Sequence, residues 1–515
     1  MNSWTGGYVS GIDYLYNFQP ETSPLRVQLA LLCAGLVPPR ITNACELGFG
    51  QGMSVNIHAA AQTVRWYGTD FNPAHVGFAR DLAAASGADV HLYDESFAEF
   101  CARPDLPDFD LIVLHGVWSW ISDENRALIV DFLRRKLAVG GVVHICYNVQ
   151  PGFAALTPLQ PLLLRHGEAL GKPNDGLAPR VDAALNFVER VLAVSPAYVG
   201  AHPLLADLLR SIRGEDRRYL AHEYLNANWA PTSFVRVAES LAAAKLEYAC
   251  SPSLEQSPEG LKLTAEQRAL LGEIPEASYR EVVRDLMVNR AFRIDYWVKG
   301  ARRLTARERI ERLLDQRVML IRQPAEVLSS ATGELPTAAG LHPVLAAVVE
   351  ALSDHQPRSL ADIDAGLKGR EINVLQLCEA ISVLANIGAV TSVQADTAAQ
   401  KARSRTDRLN TLLCAKAIRG ADLLTLASPV TGTGFAEVGG RIALFFVHAL
   451  ARGLRDPRDL GAQALQIFGT LGIRLMRDGR PIESAQESLE LVTGQAQYFL
   501  DRQLPALRAM QIVAG

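Results

Sequence analysis

The stretch ACELGFGQGMS, residues 44–54, decides how this chain is read. Gly48, Gly50 and Gly52 fall within five residues, two places after Glu46. Glycine reaches left-handed backbone at little cost and carries no side chain, so a run this dense lets a backbone approach a ligand closely. Before it, ITNACELGF (41–49) reads as a short strand. After it, MSVNIHAAAQ (53–62) has helical character. The unit to extend outward is strand, glycine loop, helix.

The alternation continues for about the first 150 residues. VRWYGTD (64–70), ADVHLYD (88–94), FDLIVLHG (109–116) and VVHICYN (142–148) read as further strands. FDLIVLHG is almost continuously apolar, which suits a strand buried on both faces. AHVGFARDLAAASG (74–87) and ENRALIVDFLRRKLAVGG (124–141) read as the intervening helices, each stopped by glycine. This spacing predicts an α/β fold, a Rossmann-like doubly wound parallel sheet. From about 155 to 325 the pattern becomes mostly helical. HPVLAAVVEALSDHQPRSLADIDAGLKG and the following residues to about 395 read as helix, turn, helix, helix and short strand, a winged-helix-like segment. QADTAAQKARSRTDR (394–408) reads as a polar linker, and the remainder as helical.

Composition excludes several function classes. The hydrophobic fraction of 49% and charged fraction of 21% are those of a soluble globular protein. A net charge of −4 gives no global basic field to recruit nucleic acid or anionic membrane. The winged-helix-like segment's candidate recognition helix, NVLQLCEAISVLANIG (373–388), carries no Lys or Arg, so it lacks phosphate contacts. Apolar runs such as VQLALLCAGLV (27–37) are shorter than the about 20 residues a bilayer requires. The N-terminus has no signal-peptide pattern. The seven cysteines show no CxxC pair, which predicts reduced thiols and a cytoplasmic protein. In HEYLNANW (222–229), His222 and Glu223 are adjacent and do not share a helix face, so no metal is expected.

Two ligands suit a strand–glycine–helix unit: a dinucleotide and S-adenosyl-L-methionine (AdoMet). The dinucleotide fingerprint is GxGxxG, whereas here the spacing is GxGxG. Glu46 would repel a pyrophosphate, yet it suits the ammonium of AdoMet. Asp70, 18 residues past Gly52 with Phe71 beside it, is placed to accept ribose hydroxyls. Asp94 is placed for the adenine amino group, with Glu95 and Ser96 facing the ring. Both aspartates also suit plain turn or capping roles.

CELGFGQGMSVNIHAAA, GTDFNPAHVGFAR, LHGVWSWISDENR, KLAVGGVVHICYNVQPG and HEYLNANWAPTSF together resemble the class I AdoMet-dependent methyltransferases that carry a methyltransferase regulatory domain. Within that group the chain looks like rickettsial-type lysine methyltransferases acting on outer-membrane proteins. The resemblance implies an AdoMet-binding domain over 1–155 and a helical dimerisation or regulatory domain over 156–325. A winged-helix-like middle domain over 326–395 and a C-terminal helical domain over 396–515 follow. It also implies a homodimer and a protein acceptor, outer-membrane proteins among the candidates. A glycan or small-molecule acceptor, and an AdoMet sensor without catalysis, stand as alternatives.

Acceptor-handling residues should follow the fourth and fifth strands. His115 is a candidate base or pocket wall, and Trp118 and Trp120, two apart, offer an aromatic wall. Tyr147 and Asn148 can accept hydrogen bonds from an attacking amine. Each of these also suits plain packing. The N-terminal arm, MNSWTGGYVSGIDYLYNF, reads as a lid over AdoMet, with Tyr14 and Tyr16 as its contacts.

Overall fold

A computed structural model describes residues 3–169, 176–252, 263–334, 341–435, 440–477 and 480–514. Its centre is a seven-stranded sheet in the order β3-β2-β1-β4-β5-β7-β6. The strands are β1 (Asn43–Leu47), β2 (Arg65–Asp70), β3 (Val90–Asp94), β4 (Phe109–Leu114), β5 (Leu137–Asn148), β6 (Leu246–Cys250) and β7 (Phe292–Lys299). The first five pair in parallel, and β7 runs antiparallel to both β5 and β6. Strand order reverses between β1 and β4, and open α/β sheets bind ligands at such a switch point.

Helices α1 (Pro24–Cys33), α2 (Met53–Ala61), α3 (Pro73–Ser86), α4 (Phe97–Cys101) and α5 (Asp123–Lys136) flank the sheet. Helix α5 begins at Ser122, whose hydroxyl accepts the Asn125 N–H. Asp123 and Glu124 in its first turn and Arg134, Arg135 and Lys136 in its last complement the helix dipole. Helix α2 is buried along its whole length. One side packs on the sheet and the other on the C-terminal region, where Met53, Ile57 and Ala60 share a core with Leu409 and Leu413.

Three segments differ from the sequence reading. The glycine pair expected to stop α5 lies inside β5 instead, where Gly140 takes φ +83° and the β4–β5 register shifts. The stretch read as mostly helical supplies β6 and β7, which complete the sheet. The stretch read as a linker is the start of a helix, Asp396–Ile418. Its buried Ala399, Ala402, Thr406 and Leu409 recur every three or four residues, a stripe the polar composition hid. Residues 317–392 contribute a three-stranded sheet of Arg317–Leu320, Arg358–Ser359 and Val390–Ser392, with the helix Val374–Asn386 against it.

The β5–β7 seam carries a buried ionic network. Arg293 is 1% exposed and pairs with Glu281 at 3.0 Å, Asp285 at 2.7 Å and Asp295 at 2.8 Å. Asp295 also accepts the Tyr147 hydroxyl at 2.6 Å, and Arg290 reaches Asp285 at 3.0 Å. Removing one member of such a network strands the others as unpaired buried charges. Arg293→Ala is expected to cost about 3–5 kcal/mol. The check is urea and thermal unfolding, and an unfolding midpoint unchanged from the parent would show that the seam does not need the guanidinium.

Candidate functional site

The glycine loop follows the C-terminal end of β1. Gly48 takes φ +73°, and a Cβ there would lie 2.7 Å from Val117 Cγ2. Gly52 takes φ +70°, and its Cβ would lie 2.5 Å from Ala79 Cβ. Both positions therefore exclude a side chain on conformational and steric grounds. The Gly50 N–H donates to Asp70 Oδ2 at 2.8 Å, while Oδ1 accepts the Asn72 N–H at 2.9 Å. Loop and second strand are thus tied together through the Asp70 carboxylate.

A cavity of about 210 Å³ opens beside this loop. Glu46, Gly48, Gly50, Asp70, Phe71, Glu95, Ser96, His115 and Tyr14 all line it. Glu46 is 5% exposed, and its Oε2 is buried without a hydrogen-bond partner. Burial, reinforced by the charge of Asp70, raises its pKa to about 8. An orphaned carboxylate oxygen beside a cradle of glycines is what an incoming ammonium would satisfy. Ser96 caps α4 in a reciprocal capping box with Glu99, which fixes the Glu95–Phe97 wall.

His115 lies on the floor. Its Nδ1 meets Nε2 of His144 at 3.1 Å. Burial holds His115 down to about 4 and pushes His144 well below the usual imidazole range, so both rings are neutral. Cys146 Sγ accepts the Gly116 N–H at 2.9 Å, and burial pushes its thiol up to about 12. His115, His144 and Cys146 bring one donor atom each within 4.8 Å of one another. The contact between the two imidazoles is a hydrogen bond.

Other expected residues lie elsewhere. Gly52 and Asp94 do not line the cavity; Asp94 is exposed at the end of β3. Trp118 is buried in the core with Arg126 over its ring, whereas Trp120 reaches the cavity. Side chains alternate along β5. His144, Cys146 and Asn148 therefore face one way, and Tyr147 faces the other, into the Asp295–Arg293 network. Tyr147 is fully buried there, its hydroxyl donated to a carboxylate, and it cannot meet an acceptor from that position. Asn148 donates to Glu223 Oε1 at 2.9 Å and does not line the cavity.

The N-terminal arm covers the cavity. Trp4, Thr5, Tyr8 and Asn17 line it with Tyr14, while Tyr16 packs against Phe78 instead. The arm is held by the helix Arg217–Tyr224 and the loop after it. His222 meets the Ile12 carbonyl at 3.0 Å, Asn226 accepts the Val9 N–H at 2.8 Å, and the Ala227 N–H donates to Gly7 O at 3.0 Å. The Tyr14 ring stands edge-on to His222 with centroids 5.0 Å apart. Glu223, next to His222, is 6% exposed and raised to about 7 by burial. None of these long-range partners has a local sequence signal except the polar and aromatic density of HEYLNANW.

Residues 44–141 match the family described as a methyltransferase domain, and residues 216–299 match the predicted methyltransferase regulatory domain. Uncharacterized protein sll1526 of Synechocystis is 33% identical over 515 residues, covering 99% of this chain and all of that protein. Uncharacterized protein RP028 of Rickettsia prowazekii is 27% identical over 202 residues, 37% of this chain and 76% of that one. The structure of PKMT2 from Rickettsia typhi in complex with AdoHcy shares the fold, with a TM-score of 0.67 at 16% identity, over 98% of this chain and all of that one. With the glycine cradle, the orphaned Glu46 oxygen and both matched domains, the chain belongs to the class I AdoMet-dependent methyltransferases that carry a methyltransferase regulatory domain.

Proposed function

We propose that the chain transfers the AdoMet methyl group to lysine side chains of a protein substrate. The observation that carries this reading is the aromatic lining of the cavity, Trp4, Tyr8, Tyr14 and Trp120, together with the neutral imidazole of His115. Aromatic faces suit the alkyl stem and cationic head of a lysine. The whole-length fold likeness to rickettsial PKMT2 supports the same acceptor class.

When bound, AdoMet supplies an electrophilic methyl group on a sulfonium. In this reading Glu46 holds the ammonium and Asp70 the ribose hydroxyls. The wall from Glu95 to Phe97 packs against the adenine. The enzyme's remaining work is positioning the acceptor about 3 Å from the methyl and excluding water. His115 Nδ1 is engaged with His144, which leaves Nε2 for the cavity. A neutral imidazole there accepts a hydrogen bond from the acceptor amine and orients its lone pair.

Glu46 makes AdoMet binding depend on pH. Its pKa in the free protein is raised, so below about 8 it is largely protonated. The ammonium favours the carboxylate, so binding releases a proton and weakens as pH falls below that value, by up to about tenfold per unit. Calorimetry in two buffers of different ionisation enthalpy should count roughly one proton released at pH 7. Glu46→Gln should bind more weakly and without that proton; an unchanged proton count would remove Glu46 from the ammonium site.

The acceptor is tested with methyl-tritiated AdoMet and host lysate split into protein, glycan and small-molecule fractions. Base-stable label mapping to lysine in discrete protein bands is the expected result. Asp70→Ala should abolish the label and weaken AdoMet binding by about 10–100-fold. Label confined to glycan or small molecules would overturn the lysine reading and leave the AdoMet site standing.

A further inference from the structure

A second cavity, of about 650 Å³, lies away from the glycine loop. Its walls come from α1, the edge strand β6, and the helices Ala277–Met287, Ala306–Leu314 and Val374–Asn386. Five arginines line it, Arg26, Arg280, Arg284, Arg303 and Arg309, against two acids, Glu281 and Glu379. The excess is three positive charges in a protein whose net charge is −4. Glu281 is already engaged by Arg293 at 3.0 Å.

Four of these guanidinium groups meet no carboxylate among the described residues. Arg26 donates to the Ala385 carbonyl at 2.6 Å and to Asn386 Oδ1 at 3.2 Å. Arg309 donates to the Cys33 carbonyl at 2.5 Å, and Arg280 to that of Ile274 at 2.7 Å. Arg303 is exposed at the rim. The Nε atoms of Arg26 and Arg309 are buried with no hydrogen-bond partner. Partly buried cations without counter-ions cost free energy unless a ligand compensates them. Arginine forks match phosphate oxygens in pairs, and Leu29, Leu313 and Tyr248 add an apolar side.

We propose that this cavity binds a phosphate-bearing small anion. An anion seated there touches the catalytic domain through Arg26, the matched regulatory domain through Arg280, and the segment after it through Arg309. It neutralises repulsion that otherwise pushes these elements apart.

The test is isothermal titration of the full-length protein with inorganic phosphate, pyrophosphate and UDP. UDP carries no adenine and so avoids the AdoMet pocket. Saturable one-to-one binding that weakens with salt is expected, with affinity down about tenfold or more in Arg280→Ala/Arg303→Ala. AdoMet affinity in that variant should be unchanged, which shows that it is folded. UDP binding more tightly than phosphate assigns a phosphate ester, and equal binding assigns the free ion; both uphold the site. Failure of all three probes to saturate, binding unaffected by the double substitution, or displacement of UDP by AdoMet would each overturn it. A poly-glutamate peptide binding where all three probes fail would replace it with a protein-docking surface.

Discussion

The guanidinium of Arg293 is the hub of a buried ionic network at the β5–β7 seam. It stands on β7 opposite Tyr147 of β5 and is shared among Asp295, Asp285 and Glu281. Three carboxylates around one fully buried cation would be untenable alone, so Arg290, also on Asp285, and the Tyr147 hydroxyl complete the set. A satisfied network of this kind resists partial opening, because each departure leaves the rest uncompensated. Phe234 lies 4.5 Å from the same guanidinium, which ties a further helix into the seam. The antiparallel β7 is therefore an integral strand of the sheet, and the residues before it are anchored on the catalytic side.

That anchoring decides what stands over the cavity. With β7 fixed on β5, the helix Arg217–Tyr224 lies across the ends of β4 and β5. Trp120 Nε1 donates to the Glu223 carbonyl, and Asn148 donates to the Glu223 carboxylate. His222, Asn226 and Ala227 then face outward to the N-terminal arm and bind its backbone. The arm's contacts are largely backbone groups, at Gly7, Val9 and Ile12. Backbone docking constrains the path of the arm while leaving Tyr8 and Tyr14 to line the cavity. The arm that covers the cavity is thus positioned by the matched regulatory domain.

Much of this was legible in the sequence because it is local. The strand–loop–helix at 43–61, the carboxylates Glu46 and Asp70 at strand ends, and the strand alternation through Asn148 all lie in short windows. Parity decides where Tyr147 points. On β5 a side chain's face depends on its odd or even position, and nothing in CYNVQPG says which parity faces the ligand. Tyr147 fell on the far face, whereas Trp118 and Trp120 lie in a 3₁₀ turn, Trp118–Trp120, whose three-residue period points them in different directions. Asp94 was expected at the adenine amino group because it ends a strand, yet β3 is the sheet edge and its terminal side chain is exposed. Trp4 lines the cavity from the arm and Asn228 from the loop after the helix Arg217–Tyr224, and no periodicity encodes such pairings.

The C-terminal region bears on the glycine loop in a way its distance in sequence conceals. Helix α2, which the loop feeds, is buried on every side, so its outer face needs a partner. The helix Asp396–Ile418 and the strand Thr433–Phe435 provide it. Gln394 Nε2 donates to the Ala61 carbonyl at 2.8 Å, and Gln62 Nε2 to that of Gly432 at 2.6 Å, which satisfies polar groups around the end of α2. Nine residues of helix with few polar side chains would be a poor element in isolation. Packed between sheet and C-terminal helix, it becomes a rigid backing for Gly48–Gly52, whose left-handed backbone has no stiffness of its own. The geometry of the glycine loop therefore depends on residues more than 300 positions downstream, and the cavity beside it is a property of the whole chain rather than of its first 150 residues.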